Sequence, residues 1–150
     1  MRRKKKPRHR ISINSKKEPR RREIPESTET EKVAWRIGII DRYGHDGEWG
    51  WNDIKNEVLW TQIIEKMKHL ETMTWAEVKK RKTTDFVPFS ELCPNARRYL
   101  EDLGMDDIDG LLHLGLSGKE RMWGNRERGV FELLWYDPEH TVCPSFKKHT

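Results

Sequence analysis

The chain of 150 residues contains no run of about 18 apolar residues, so it offers no membrane-spanning helix. Its N-terminus is basic, but no apolar stretch of the ~7–15 residues that a secretory leader requires follows it. Cysteine is scarce. Cys93 and Cys143 stand far apart with no CxxC pair, which excludes a disulfide framework and a zinc ribbon. Reduced thiols in a cytoplasmic protein are the natural expectation. No GxxxxGK[ST], GxGxxG or GxSxG occurs, so the usual phosphate-binding, dinucleotide-binding and serine-hydrolase signatures are missing. Apolar residues make up only 34% of the chain, against 37% charged.

What is present is uneven. Residues 1–22 carry 12 Lys and Arg and one acid, Glu18; the remainder carries 18 Lys and Arg against 24 acids. A basic arm therefore precedes a mildly acidic body. Like charges at this density repel, and Ile11, Ile13 and Ile24 are too few to offset the ordering entropy. Residues 1–32 are expected to form a disordered arm, and residues 33–150 a single domain that holds every Trp, Tyr and Phe. Arg2, Arg3, Lys4, Lys5, Lys6, Arg20, Arg21 and Arg22 suit contact with nucleic-acid phosphates, because each neutralised phosphate releases a condensed counterion. A solubilising tail would show the same composition.

The body begins with a β-branched and aromatic segment, Val33–Asp41, read as a strand. A loop with three glycines and two tryptophans follows at 43–51. Ile54, Val58, Ile63, Met67 and Leu70 recur at helical spacing and predict a helix over 53–70, capped by Asn52 or Asp53. Thr74-Trp75-Ala76-Glu77 is a capping box for a short helix over 75–81. Its cations Lys79, Lys80, Arg81 and Lys82 suit the negative end of the helix dipole as well as they suit RNA. Thr83–Phe89 reads as a loop. A third helix falls within 91–103, with Pro94 in its first turn and Gly104 at its end. Asp106–Gly110 fails as a calcium loop, since Met105 and Leu116 would occupy ligand positions. Strands at 111–116, 119–123, 130–136 and 141–143 complete an antiparallel meander. Gly129 is expected at positive φ in the hairpin tip, and Trp135 buried on one face with Phe131 and Leu133. The expected fold class is α+β: a leading strand and two to three helices packed on one face of a meander sheet.

The stretch Lys119-Glu120-Arg121-Met122-Trp123-Gly124, then Gly129-Val130-Phe131-Glu132-Leu133-Leu134-Trp135-Tyr136-Asp137 and His140, resembles the RelE/ParE group of small bacterial toxins in its basic strand, charged hairpin and apolar strand. The resemblance covers 111–143, and 33–81 in element order only. The arm, the Trp49/Trp51 loop, the third helix and the acidic body depart from the pattern. RelE-type members cleave mRNA on the ribosome; ParE-type members inhibit gyrase. The resemblance implies a toxin acting on RNA or the translation machinery, a metal-independent endoribonuclease with no cofactor, with RNA or the ribosome and a cognate antitoxin as partners.

Such chemistry needs a base for the 2′-OH, an acid for the leaving oxygen and cations for the phosphorane. His140 and Tyr136 are the candidate acid and base, and Arg121 the candidate charge stabiliser, all expected on one open sheet face. Arg126, Arg128, Lys147 and Lys148 are candidate phosphate contacts. Ordinary roles compete: Arg121 can pair with Glu132, Tyr136 can pack, and His140 can bond a carbonyl. Cys93, His113, His140 and Cys143 lack zinc-finger spacing, so no metal is expected. Two other functions fit the same sequence. One is a non-enzymatic nucleic-acid-binding accessory protein that uses the arm. The other is an interaction module with an aromatic face built from Trp35, Trp49, Trp51 or Trp60.

Overall fold

The computed structural model describes residues 26–144, and the basic stretches 1–25 and 145–150 lie outside the described residues. A short 3-10 turn, Glu26–Thr30, leads into β1 (Ala34–Arg36). A helical run follows, made of α1 (Asn56–Val58), a π-helical segment Leu59–Ile64 and α2 (Glu65–Leu70). Then come α3 (Trp75–Lys79), β2 (Asp85–Pro88), α4 (Pro94–Asp102), β3 (Gly110–Gly115), β4 (Arg121–Glu127) and β5 (Val130–Asp137). The five strands form one sheet in the order β1-β5-β4-β3-β2. β2 to β5 pair as an antiparallel meander, and β1 lies parallel to β5, Trp35 opposite Phe131. The α+β class is as expected. No helix among the described residues is long and apolar enough to cross a membrane.

Local signals explain much of this. Thr74 accepts from the Glu77 N–H and the Glu77 carboxylate reaches back to Thr74, closing the capping box that starts α3. Pro94 occupies the first turn of α4, and Gly104 leaves it at φ 71°. The long helix begins later than its periodicity suggests. Asn52 is held in the preceding loop by Arg42, so Lys55 precedes the first turn without a side-chain cap. Within the π segment, the Thr61 hydroxyl donates to the Glu57 carbonyl at 2.6 Å, competing with the ordinary backbone ladder.

Four expectations are corrected. Residues 28–32 belong to the folded body: Thr28 is buried, Glu29 pairs with Arg126 and Lys79, and Lys32 bridges Thr74. Thr83–Phe89 is not all loop, because β2 forms an edge strand that ends at Pro88, where a missing N–H is harmless. Residues 141–143 make no strand, although Val142 is fully buried and its carbonyl accepts from Cys93 N–H. Positive φ in the hairpin tip falls on Arg128, at 55°, and not on Gly129.

The helices cover both faces of the sheet, not one. Ile63, Leu70, Trp75 and Val78 pack with Leu114, Met122, Phe131, Leu133 and Tyr136 on the first face. Leu92, Ala96, Tyr99 and Leu100 of the α4 region pack with Trp49, Leu111, Trp123, Leu134, Trp135 and Val142 on the second. A β-bulge makes this division. Trp123 pairs with Trp135 while Gly124 pairs with Leu133, leaving Leu134 as an extra residue in β5. Period two is broken there, so Trp135, fully buried as expected, faces away from Phe131 and Leu133. The bulge also requires glycine at 124, since an added Cβ would run into the Glu132 carbonyl. Gly124→Ala is expected to cost about 1–3 kcal/mol through overpacking, read as a lower urea midpoint at unchanged slope. An unchanged midpoint would mean that the strands do not approach this closely.

Candidate functional site

One corner of the sheet gathers cations and imidazoles. It lies where β2 begins, β3 ends, β4 begins and the chain leaves β5. Four segments supply it: the turn after α3, the end of β3, the start of β4 and the turn after β5.

Arg81 follows the last turn of α3, its N–H bonded to the Val78 carbonyl. The four cations read as a helix-dipole cluster do different things. Lys79 pairs with Glu29 at 3.0 Å, whereas Arg81 turns inward and donates from Nη2 to the Gly115 carbonyl at 2.7 Å. Arg121 opens β4 and donates from Nη1 to the carbonyls of Gly118 and Glu120, at 2.6 and 2.9 Å. Both arginines are half-buried, and neither has a carboxylate at ion-pair distance among the described residues. Burial first, and then the neighbouring Arg121 charge, pull Arg81 below the usual arginine range. Burial does the same to Arg121, against an opposing pull from the Asp137 charge.

His113 on β3 is 7% exposed. Its Nδ1 lies 3.0 Å from the Thr83 carbonyl, which can only accept, so Nδ1 carries the proton and Nε2 the lone pair. The ring packs against Trp123 at 4.7 Å and meets His140 edge-on, with centroids 5.4 Å apart. Burial, followed by the charges of His140 and Arg121, lowers its pKa to about 4. His113 is therefore neutral at pH 7. An unfolded chain takes up this proton near pH 6.5 and the folded chain only near 4, so stability is lost as pH falls between those values. The loss approaches about 3 kcal/mol and then levels off. Urea melts at pH 7 and 4.5 should show it, and His113→Asn should reduce the pH dependence. An equal pH dependence in that variant would place the titration elsewhere.

His140 is held at φ 57°, uncommon for a residue other than glycine. Asp137 builds the turn that holds it. Fully buried, it accepts from Trp123 Nε1 at 3.1 Å, from Thr141 N–H at 2.9 Å, from the Thr141 hydroxyl at 3.2 Å and from Val142 N–H at 3.0 Å. Its hydrogen bonds thus go to the turn and to Trp123, and it acts on Arg121 only through its charge.

Arg121 and His140 therefore reach one side of the sheet with His113, but Tyr136 does not join them. Arg121 pairs with Asp137 across β4–β5 while Tyr136 pairs with Met122, and the two pairs point to opposite faces. The expected open face carrying Arg121, Tyr136 and His140 together is corrected. The expectation rests on helices covering one face only, whereas helices cover both and the bulge at Leu134 fixes which face each β5 side chain takes. The Tyr136 hydroxyl donates to the Glu120 carboxylate, and burial and then that carboxylate push its pKa well above the ordinary tyrosine range. It packs in the first-face core with its hydroxyl bound to Glu120, on the face opposite Arg121.

Arg126 is corrected as a phosphate contact. Its side chain is only 7% exposed, pairs with Glu29 at 2.8 Å, donates to the Arg128 carbonyl and lies 4.2 Å above the Trp75 ring. Arg128 is exposed at the hairpin tip, at the far end of β4 from Arg121. Arg2, Arg3, Lys4, Lys5, Lys6, Arg20, Arg21, Arg22, Lys147 and Lys148 lie outside the described residues. Of the tryptophans weighed as an aromatic face, Trp49 is buried and Trp35 and Trp51 pack against the first core, leaving Trp60 as the largely exposed one. Among the described residues, no group of three or more His, Cys, Asp or Glu converges as a metal would require.

Arg81 and His113 are the members of the corner that the sequence pattern hid. Only the departure of Arg81 from its helix, and the polar His113 within an otherwise apolar strand, could have flagged them. Comparison with known proteins finds no matching family model, no matching curated protein and no matching solved structure.

Proposed function

We propose that the chain acts on RNA as a RelE-like toxin, cleaving the backbone without a metal, with Arg121, His113 and His140 as its working groups. One observation carries this reading: two half-buried guanidiniums without carboxylate partners stand beside two imidazoles at one corner of the sheet. Clustered cations with no carboxylate at ion-pair distance favour an anionic ligand, and paired imidazoles favour proton transfer.

In the reaction, a 2′-oxygen bonds to phosphorus as the bond to the 5′-oxygen breaks. His113, neutral and with a free lone pair on Nε2, accepts the 2′-OH proton. His140 donates a proton to the departing 5′-oxygen. Arg121 stabilises the charge that gathers on the phosphorane. The products are a 2′,3′-cyclic phosphate and a 5′-hydroxyl.

Induced expression in a bacterial host tests the reading. Growth arrest with shortened RNA is expected, and His140→Ala should relieve it. Unaffected growth and intact RNA would contradict it. RNA binding without cleavage would favour the accessory-protein reading, with the basic arm as its binding element.

A further inference from the structure

The cation corner contains more donors than the protein satisfies. Arg81 Nη1, Arg121 Nε and Thr84 Oγ1 are each buried without a hydrogen-bond partner. Three orphaned polar atoms in one neighbourhood are costly, since a buried donor without an acceptor loses its full hydration. Hydrogen bonds gather them there: Thr84 N–H donates to the Arg81 carbonyl, and Arg81 Nη2 donates to the carbonyl of Gly115, which pairs with Arg121 on the next strand. Gly115 leaves room for this arrangement, because any side chain there would run into Thr83.

We propose that Arg81, Arg121 and the Thr84 hydroxyl form a receptor for a tetrahedral oxyanion of the phosphate class. The two guanidiniums are close enough for the Arg121 charge to lower the Arg81 pKa, a repulsion that an anion bound between them would relieve. Their planar donor forks match the oxygens of a phosphate, and the hydroxyl adds a neutral donor to the same group. The Asp137 carboxylate favours the Arg121 charge at a distance but does not bond to it, because its oxygens receive three hydrogen bonds from the turn after β5 and one from Trp123. The half-exposed flank of both arginines gives the anion its approach. Arg81 thereby becomes a binding residue on a helix-to-strand turn, outside the sheet residues that the toxin resemblance implicates. The inference rests on the RNA reading only for the natural ligand, in which the oxyanion is a backbone phosphate.

His113 reports on the site, because Arg121 lies close enough to influence its titration. Inorganic phosphate should be titrated into the full chain at constant ionic strength, with chloride as the control, while the His113 ring is followed by NMR. Bound phosphate should raise the His113 midpoint by about one pH unit or more, and chloride should not. Arg81→Gln should abolish the response. Arg81→Lys, which keeps the charge but loses the fork, should weaken it at least tenfold in apparent affinity. A wild-type midpoint that ignores phosphate would overturn the proposal without reference to any variant. A response equal in wild type and Arg81→Gln would overturn it as well. Phosphate binding in a protein that leaves RNA intact would sustain the receptor and remove the RNA reading. RNA cleavage without any phosphate response would do the reverse.

Discussion

Asp137→Ala is expected to lower the stability of the folded chain by about 3–5 kcal/mol, among the largest effects of any single substitution in it. The side chain is fully buried and accepts four hydrogen bonds. Alanine would leave Trp123 Nε1 and the N–H groups of Thr141 and Val142 without acceptors, each at a cost of about 1–3 kcal/mol when buried. Domains of this size are stable by only about 5–15 kcal/mol, so the variant should sit near its unfolding threshold at 37 °C. Asp137→Asn keeps an acceptor oxygen and should lose less. Urea denaturation followed by tryptophan fluorescence measures both. A loss under about 1 kcal/mol for the alanine variant would mean that the turn after β5 is held some other way.

Arg121→Ala is expected to reduce RNA cleavage by about 10²–10³-fold, as removal of one preorganised donor to developing charge does elsewhere. Its stability cost should be small. The two carbonyls it bonds, Gly118 and Glu120, lie in a turn with access to water. Tyr136→Phe makes the matching control. Its hydroxyl is bound to Glu120 on the opposite face, so cleavage should persist at the wild-type rate. Equal losses in both variants would show that the two faces do not separate the roles as argued.

The contrast between these two residues also marks how far the sequence could be read. The capping box at Thr74 and Glu77, the proline start of α4, the glycine end at Gly104 and the meander of β3 to β5 were legible, because each rests on a local signal. The position of Tyr136 was not. One extra residue at Leu134 reverses every side chain after it, and nothing in Phe131-Glu132-Leu133-Leu134-Trp135-Tyr136 announces a bulge. β2 escaped because four residues ending in proline look like a turn until β3 supplies their partners. The covering of both faces was implied by the large side chains of β5, yet assigning α4 to the second face required the long-range contacts themselves.

The candidate site divides the same way. Arg121 and His140 were legible from residue type and from their place beside an apolar strand. Arg81 was masked by Lys79, Lys80 and Lys82, which make a plain helix-dipole cluster, and only tertiary structure shows that it leaves them for Gly115. His113 stands among Leu111, Leu112 and Leu114, and its neutral state follows from burial that no local pattern encodes.

The central claim is that this corner breaks RNA through its own side chains. Purified full-length protein should be incubated with a single-stranded RNA, free and on translating ribosomes, in the presence of a strong divalent-metal chelator for the free RNA. The account predicts fragments ending in 2′,3′-cyclic phosphate and beginning with 5′-hydroxyl, and no cut where the attacking nucleotide lacks its 2′-hydroxyl. RNA left intact in both settings would contradict the account, as would cleavage of the free strand that appears only when a divalent metal is restored.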